Sequence, residues 1–366
     1  MKLNIQAPIN QLSYGIMATN MIKELDLLGV DITLFPIGKI DVPTEIIESG
    51  KIIQLINNQK YNFRDNDSLR IYHQHDLAQK IGKGRHFGYT TFELDEFTAV
   101  ERNNMNVCDK VITATRWGQN ILQYCNTYPD AYAPLGVDRS IFNESVVVQP
   151  RNIVRDSKDK FVVLNIGKAE KRKGTLEAIR AFNLAFTRYD PVELWLVISN
   201  VFLTPAEKLQ WRNKILDPLF NPLYNKTRIL DARLDTQHDI AQIIQQADCG
   251  LFLHHSEGFG LPILEMMSCG KDVIVTNYSG STEFANEKSA HLVDIDTMEI
   301  ANDDKWFTRG VGGWASIGVN QITTTAAHLI NLYDKVTPSK SEQAIATAQR
   351  FTWQNTAKTL VELLLV

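Results

Sequence analysis

The stretch LFLHHSEGFGLPILEMMSCG, residues 251–270, is the most informative part of this chain. An apolar strand-like run leads into a turn with Gly258 and Gly260, and the apolar residues after Pro262 recur at helical spacing. Glycine lets the backbone approach a ligand closely, and proline is favoured in the first turn of a helix. The unpaired N–H groups at such a helix start bind anions. The stretch therefore predicts a strand, a phosphate-binding turn and a helix.

Two glutamates flank this turn. Glu257 precedes it, so its carboxylate is placed to reach a hydroxylated group beside a bound phosphate. Glu265 lies further into the helix, and its two oxygens can accept hydrogen bonds from vicinal hydroxyls such as those of ribose. An exposed helix glutamate needs no such role, but Glu265 stands between Leu264 and Met266, and a carboxylate in so apolar a helix needs a partner. We therefore predict that both glutamates bind a ligand.

Strand-like and helix-like segments alternate along the chain in two series. The polar segment 142–160 separates the series and is interpreted as the linker. Such alternation predicts parallel sheets joined by right-handed crossovers. Single cores stop growing near roughly 250–300 residues, so 366 residues predict more than one domain. We predict an α/β fold of two doubly wound Rossmann-like domains facing a cleft, formed by residues 1–150 and 151–345, with 346–366 as a C-terminal helix that packs on the first.

The spacing of apolar residues places the individual elements. The predicted strands lie at 2–8, 30–37, 69–73, 86–90, 109–114, 160–167, 192–198, 227–231, 248–255 and 272–277, and one more ends at Ala133-Pro134. A first helix follows Gly15 and ends at Gly29, and further helices are predicted at 117–125, 174–188, 205–218, 237–247, 261–269, 321–335 and 340–366.

Composition limits the possible classes of function. The net charge of −4 gives no overall attraction to nucleic acid or to acidic lipid. The four cysteines form no C-x-x-C pair and show no metal-ligand spacing, so we expect a cytoplasmic protein without a metal site. The amino terminus lacks the apolar core of a signal peptide, and no apolar run approaches the ~20 residues of a membrane span. We therefore expect no transmembrane segment.

The segment EGFGLPILE (257–265), a glutamate, seven residues and a second glutamate, resembles the signature of the family 4 retaining glycosyltransferases. ADCGLFLHHS (247–256) and GKDVIVTNYSGSTEF (270–284) are similar to the segments on either side of that signature. VLNIGKAEKRKGTLEAIRAF (163–182) resembles the opening of the family's second domain. The resemblance implies the GT-B fold and a glycosyltransferase that moves a sugar from a nucleoside-diphosphate sugar to a hydroxyl acceptor. It also implies retention of anomeric configuration and no need for a metal or other cofactor.

The resemblance also assigns roles to residues. Where the family places a Gly-Arg and a Lys-Gly pair against the donor diphosphate, this chain has Gly167-Lys168 and Lys173-Gly174. Lysine keeps the charge of arginine but loses its planar fork, so the diphosphate role is better supported for Lys173 than for Lys168. On its own, the basic run of Lys168, Lys171, Arg172 and Lys173 is typical of a solvated loop. The implied catalytic residues are Glu257, Lys173 and Lys168, and the implied donor-binding residues are Gly15, Gly167, Gly258, Phe259, Gly260, Leu261 and Glu265.

The first half of the chain resembles the family less closely. SYGIMATNMIKEL (13–25) occupies the place of the family's first glycine-rich turn, although Gly15 is the one glycine in it. YTTFELDEF (89–97) resembles a loop of one subgroup, and FTWQNTAKTLVELL (351–364) resembles the family's final helix. Some relatives place a histidine near the donor sugar at the end of a strand, where this chain has two. The acceptor-side candidates are His73, His75 and Glu93, for which a structural or solvated role stays equally open.

Four alternatives stay open for the activity. The acceptor is a glycan or small molecule in the first hypothesis, and a hydroxymethylated base of viral DNA in the second. A nucleotide-sugar epimerase and a donor-binding protein without turnover are the third and fourth. The DNA hypothesis depends on a basic groove in the first domain, lined by Arg64, Arg70, Lys80, Lys83, Arg85 and His86.

The mechanism implied by the resemblance needs cations more than acids. Departure of a nucleoside diphosphate develops negative charge on the leaving phosphate, which Lys173, Lys168 and backbone N–H groups would stabilise. Glu257 would orient the transferred sugar and Glu265 would hold the ribose. A covalent intermediate would require a carboxylate beside the anomeric carbon, and the sequence identifies none. Front-side substitution, in which the departing phosphate takes the acceptor proton, is therefore favoured.

Overall fold

The computed structural model describes residues 1–61, 63–127, 130–149, 154–156, 159–230, 236–308 and 310–365. The chain forms two compact units, one of Met1–Gly136 with Arg350–Val366 and one of Val137–Gln349. None of the helices in the described ranges combines the length and apolar character that a membrane crossing requires.

The first unit is built on a six-stranded sheet in which neighbouring strands are parallel, in the order β2-β1-β3-β4-β5-β6. Its strands are β1 (Lys2–Ala7), β2 (Asp31–Pro36), β3 (Asp67–Ile71), β4 (His86–Thr90), β5 (Lys110–Thr113) and β6 (Asp130–Tyr132). Its first helices are α1 (Ser13–Leu27), α2 (Ser49–Asn57), α3 (Ala99–Asn106) and α4 (Arg116–Tyr124). The strand order reverses between β1 and β3, which is where doubly wound sheets bind ligands, beyond the carboxyl ends of the strands.

The second unit repeats this plan with the sheet order β12-β11-β10-β7-β8-β9, again parallel throughout. Its strands are β7 (Phe161–Gly167), β8 (Val192–Ile198), β9 (Thr227–Ile229), β10 (Cys249–Phe252), β11 (Asp272–Thr276) and β12 (His291–Val293). Its helices are α5 (Thr175–Ala185), α6 (Pro205–Leu216), α7 (Gln237–Gln246), α8 (Leu261–Ser268), α9 (Val319–Tyr333) and α10 (Ser341–Ala348). The order reverses between β7 and β10, so the loops after these two strands are neighbours. The two sheets confirm the predicted α/β fold of two doubly wound domains.

The last helix, α11 (Trp353–Leu365), belongs to the first unit, where it packs against α1. The Thr356 hydroxyl donates to the Pro134 carbonyl at 2.6 Å. A Cβ on Gly136 would lie 2.1 Å from the backbone nitrogen of Trp353. Glycine at position 136 therefore allows the start of α11 to pack directly against the end of the segment Met1–Gly136.

The division between the units differs from the predicted boundaries at 150 and 345, because residues after Gly136 pack on the second unit. The Arg139 guanidinium donates to the Ser268 carbonyl at 3.2 Å, and the Ser268 hydroxyl donates to the Phe142 carbonyl at 2.5 Å. The predicted linker at 142–160 therefore begins inside a packed segment. Residues 150–153, 157 and 158 of that linker lie outside the described residues.

One helix prediction was wrong and several elements were missed. The predicted continuous helix at 340–366 is two helices, α10 and α11, and the chain changes unit between them. Helix α3 is largely polar with one buried residue, Met105, so it lacks an apolar period. It starts at a capping box, in which Thr98 and Glu101 bond each other's backbone N–H, and that pattern would have been the sequence signal. Helix α2, strand β12 and the antiparallel pair β13 (Met298–Ile300) and β14 (Gly313–Ala315) were also not predicted.

Candidate functional site

The turn after β10 lies at the carboxyl end of the second sheet, at the reversal of strand order. Residues 251–260 are buried throughout. The loop after β7 approaches so closely that a Cβ on Gly174, at φ +63°, would lie 1.7 Å from the Leu253 carbonyl oxygen. The loop after β11 approaches from the other side, where a Cβ on Gly280 would lie 2.6 Å from the Glu257 carbonyl oxygen. Glycine at these two positions therefore lets three loops meet on the turn.

The start of helix α8 offers free backbone donors. Gly260 precedes the helix with φ +97°, a left-handed conformation that favours glycine, and Pro262 lies in the first turn. Within the described part of the chain, the backbone N–H groups of Gly258, Gly260 and Leu261 donate to no acceptor. Unpaired N–H groups at a helix start, with the positive end of its dipole, form a site for a phosphate.

Glu257 and Lys173 meet beside these donors. The Lys173 ammonium donates to Glu257 Oε1 at 2.5 Å, and Glu257 is 9% exposed. Burial alone would raise the pKa of this carboxyl, but Lys173 and Arg172 beside it lower the pKa of Glu257 to about 2. Glu257 is therefore ionised at any working pH, and its carboxylate is fixed next to a cation and a phosphate-type site.

Two adjacent histidines precede Glu257 on the strand end. His254 shares a hydrogen bond of 3.1 Å between its Nε2 and the Ser281 hydroxyl, and burial lowers the pKa of His254 to about 4. His255 donates from Nδ1 to the Ala315 carbonyl at 2.7 Å. Burial also lowers the pKa of His255. At neutral pH the two imidazoles are uncharged and serve as hydrogen-bonding groups of the turn.

Glu265 lies on α8, half-buried among apolar residues. Among the described residues, no hydrogen bond or ion pair reaches its carboxyl. Burial raises the pKa of Glu265 to about 8, far above the ordinary value of 4.5. A carboxyl that is removed from water without a partner destabilises the fold, and such groups cluster at functional sites. The arrangement suits a ligand that supplies hydroxyl donors.

Comparison with known proteins identifies the segment that carries this site. Residues 149–302 match the model of the family described as glycosyl transferases group 1. These residues are a group 1 glycosyltransferase domain. The predicted family and the predicted enzyme class are thereby confirmed for this domain.

The curated relatives are 22–26% identical to this chain over the matched parts. The chain is 26% identical over 181 residues to the D-inositol 3-phosphate glycosyltransferase of Paenarthrobacter aurescens, a match covering 47% of this chain and 43% of the relative. It is 22% identical over 210 residues to the N-acetyl-alpha-D-glucosaminyl L-malate synthase of Bacillus anthracis, covering 57% of this chain and 49% of the relative. The chain thus spans less than half the length of the curated relatives it matches.

Solved structures match over the whole chain and show the same fold. A sucrose-phosphate synthase from Thermosynechococcus elongatus has a TM-score of 0.70 at 14% identity, covering 99% of this chain and 98% of that one. The Anabaena protein HepE, in complex with UDP and glucose, has a TM-score of 0.67 at 15% identity, covering 100% and 99%. The predicted GT-B fold class is confirmed by these matches.

Other predicted residues of the group 1 domain surround the same loops. Gly167 ends β7, and a Cβ there would lie 3.3 Å from Cγ of Lys173, so glycine leaves room for the lysine stem. The Lys168 ammonium lies 5.2 Å from the ring centroid of Phe202, a side chain that is 53% exposed. Phe259 is buried and its ring packs 5.2 Å from that of Phe284. The phosphate-type site therefore has Lys173 beside it, while Lys168 contacts an aromatic ring.

The predicted donor-binding residue Gly15 and the acceptor-side candidates lie in the first unit. Gly15 lies in α1, where a Cβ would sit 2.1 Å from the Asn10 carbonyl oxygen, so glycine allows the turn after β1 to fold against the helix. The neighbouring Tyr14 ring lies 4.4 Å from His73, and His73 stacks on His75 at 5.4 Å. Glu93 is close enough to contribute to the raised pKa of Tyr14, about 12, for which burial is the main cause. Gly15, His73, His75 and Glu93 therefore line the carboxyl end of this sheet.

Of the six residues predicted to line a basic groove for DNA, Arg70 and His86 are buried, while Arg64, Lys80 and Lys83 are exposed. Arg70 is buried, and donates to the Asp76 carboxylate at 2.7 Å and to the Gln6 side chain at 2.8 Å. His86 is fully buried, with its Nε2 at 2.7 Å from the Leu77 carbonyl. Arg85 pairs with the Asp67 carboxylate at 2.9 Å. Arg70 and His86 are thus structural residues, and the charge of Arg85 is already compensated.

Several residues of the site were missed by the sequence reasoning. Tyr14 donates its hydroxyl to the Thr91 carbonyl at 2.8 Å and ties α1 to the loop after β4. Arg172 contacts Glu257 and was seen as part of a solvated basic run. The pair β13–β14 joins the site through a backbone hydrogen bond of 2.9 Å from Ala315 N–H to the His255 carbonyl. The low exposure of Arg172 has no signal in a single sequence, since a basic run reads as solvated.

Proposed function

We propose that this protein is a glycosyltransferase that moves a sugar from a nucleoside-diphosphate sugar to a hydroxyl acceptor, with retention of anomeric configuration and without a metal. The observation that carries the proposal is the arrangement around α8. Free backbone donors at the helix start lie beside the Lys173–Glu257 pair, and Glu265, whose carboxyl bonds to none of the described residues, follows within the same helix. This arrangement offers a complementary group to each part of such a donor.

The diphosphate is assigned to the start of α8. The N–H groups of Gly258, Gly260 and Leu261 would cradle it, and Lys173 would turn from Glu257 onto it. Glu265 would accept hydrogen bonds from the two ribose hydroxyls. The Anabaena protein HepE, which has this fold, forms a complex with UDP and glucose. That neighbour supports a nucleoside-diphosphate sugar as the ligand class.

Catalysis would come from stabilising the leaving group. The bond between the anomeric carbon and the diphosphate oxygen breaks, and the charge that develops on the phosphate is met by Lys173, Lys168 and the helix N–H groups. Lys168 would leave the Phe202 ring to do so. The acceptor oxygen attacks from the same face, and its proton passes to the departing phosphate. Glu257, which Arg172 still faces when Lys173 has turned away, would orient the sugar hydroxyls.

The acceptor is assigned to the first unit. Tyr14, His73, His75 and Glu93 present aromatic faces, hydroxyl, imidazole and carboxyl groups at the carboxyl end of that sheet. Such a set suits a glycan or another polyhydroxylated small molecule. Because Arg70 and His86 are buried, two of the residues on which the DNA hypothesis depends are not available to contact DNA. The four free cysteines support a reducing, cytoplasmic setting.

The proposal is tested by thermal stabilisation with a panel of nucleotide sugars, with and without EDTA, followed by product analysis. Stabilisation should appear with EDTA present, and should be lost in Glu265→Ala but kept in Glu362→Ala, a matched exposed helix glutamate. NMR of the product should show the anomeric configuration of the donor. Turnover without an acceptor would indicate the epimerase, and binding without any turnover would indicate a binding protein.

A further inference from the structure

A buried network of charges lies behind Glu257. Arg172 is 6% exposed and Glu170 is 7% exposed, and Arg172 Nη2 donates to Glu170 Oε1 at 2.6 Å. Arg172 Nη1 donates to the Ser256 carbonyl at 2.8 Å and lies 3.4 Å from Glu257 Oε2. The Arg172 guanidinium is therefore held by the Glu170 carboxylate and the Ser256 carbonyl. The nitrogen that bonds the carbonyl, Nη1, also faces the Glu257 carboxylate.

The two cations at Glu257 differ in their freedom to move. The Lys173 side chain is 15% exposed, against 7% for that of Arg172, and its stem passes over Gly167 where a Cβ would crowd it. Lysine carries its charge on a flexible four-carbon stem, whereas the guanidinium is a planar fork. Lys173 can turn toward the start of α8, but Arg172 cannot leave without abandoning Glu170 and the Ser256 carbonyl.

A bound diphosphate would change the charge balance of this network. In the structure, two carboxylates, Glu170 and Glu257, face two cations, Arg172 and Lys173. When Lys173 turns to a diphosphate, Glu257 loses the cation at 2.5 Å. His254, the other titratable group against Glu257, is neutral because burial lowers its pKa to about 4. A buried carboxylate without compensation is costly and takes up a proton instead.

We propose that Arg172, fixed by Glu170, is the positioning residue that keeps Glu257 ionised and oriented while Lys173 moves to the donor diphosphate. The inference rests on the proposed function, because it concerns the same site with its donor bound. It assigns Lys173 to the ligand and Arg172 to the protein. It also gives Glu170 a role at a distance from the ligand, through its bond to Arg172.

The test compares Arg172→Gln, Arg172→Lys and Glu170→Gln with Arg180→Gln, an arginine on α5 whose side chain is 51% exposed. The readouts are the pH dependence of kcat and the donor KM. In Arg172→Gln, kcat should fall by about tenfold or more. The acid limb of the curve of kcat against pH should also move up by about one pH unit or more, since Glu257 then takes up a proton. Arg172→Lys should restore part of both, Glu170→Gln should show a smaller change in the same direction, and Arg180→Gln should match the parent.

The outcomes separate the inference from the proposed function. Parallel pH profiles in the parent, Arg172→Gln and Glu170→Gln, with a lower Tm alone, would overturn the positioning role and leave a purely structural one. If Arg172→Gln does not fold, Arg172→Lys and Glu170→Gln carry the same test. A parent protein that binds and turns over no nucleotide sugar would instead refute the proposed function.

Discussion

The carboxyl of Glu265 should make the unliganded protein less stable as the pH rises. Burial raises the pKa of Glu265 from 4.5 to about 8 in the folded chain. The stability that this group contributes is therefore fully present below pH 4.5, declines as the pH rises, and is lost above pH 8. Each tenfold change in proton affinity corresponds to about 1.4 kcal/mol, so the loss is at most about 5 kcal/mol, and less where the helix relaxes.

Glu265→Gln removes this titration while keeping the shape of the side chain. Thermal unfolding of the unliganded parent and variant, measured from pH 5 to pH 9, should give similar Tm values at the acid end. At pH 9 the variant should be more stable, because it has no buried carboxyl to ionise. Each kcal/mol of this difference should raise its Tm by roughly 2–4 °C, as for a domain of 150–250 residues. Glu362→Gln, on the exposed side of α11, is the matched control.

The same variant should bind the nucleotide much more weakly. In the proposed site, ribose hydroxyls would donate to the ionised carboxylate, so nucleotide binding near pH 7 should release about one proton in the parent and none in Glu265→Gln. Calorimetry in two buffers of different ionisation enthalpy measures this number. A Tm difference between parent and variant that does not change with pH, or nucleotide affinity that the variant retains, would refute the assignment of Glu265.

Three further predictions follow from the loops around the turn. Lys173→Ala should lower kcat by about a hundredfold, as expected for a lost charge on the leaving group, and should also lower the Tm because Glu257 loses the cation at 2.5 Å. Lys208→Ala, on the exposed face of α6, should be neutral. Near-normal turnover of Lys173→Ala would count against its role. Gly174→Ala should destabilise the fold severely because its Cβ would lie 1.7 Å from a carbonyl oxygen. Gly29→Ala, at φ +77° in open space, should cost only about 1–2 kcal/mol in chemical denaturation, and equal losses would contradict the close approach. Lys168→Ala should raise the donor KM by about tenfold and Lys168→Arg should not, so an unchanged KM in Lys168→Ala would mean that this lysine stays on Phe202.

The second domain could be predicted well because its signals are local. The strand, glycine turn and helix of 251–270 lie as the apolar spacing indicated, and the start of α8 has the free N–H groups expected at Gly258 and Gly260. Gly167 and Lys173 meet across the same loop. These features depend on residue type and short spacing, which a single sequence records.

Features that depend on distant packing could not be predicted. The basic run 168–173 reads as solvated, yet Arg172 is buried by contacts with Ser256 and Glu257, more than eighty residues away. Arg70 likewise reads as part of a surface groove but is buried against Gln6 and Asp76. The break between α10 and α11 is set by the change of unit at Arg350 and not by a proline or glycine. Single-sequence patterns carry neither burial nor domain assignment of this kind.

The most direct measurement is a titration of the protein, labelled with ¹⁵N-glycine, with a nucleoside diphosphate, followed by amide NMR. The Gly258 and Gly260 signals, assigned by substitution, should show large shifts that saturate with the binding curve, while exposed Gly29 and Gly38 stay in place. Saturable binding that leaves the signals of both turn glycines unmoved would contradict the placement of the diphosphate at the start of α8.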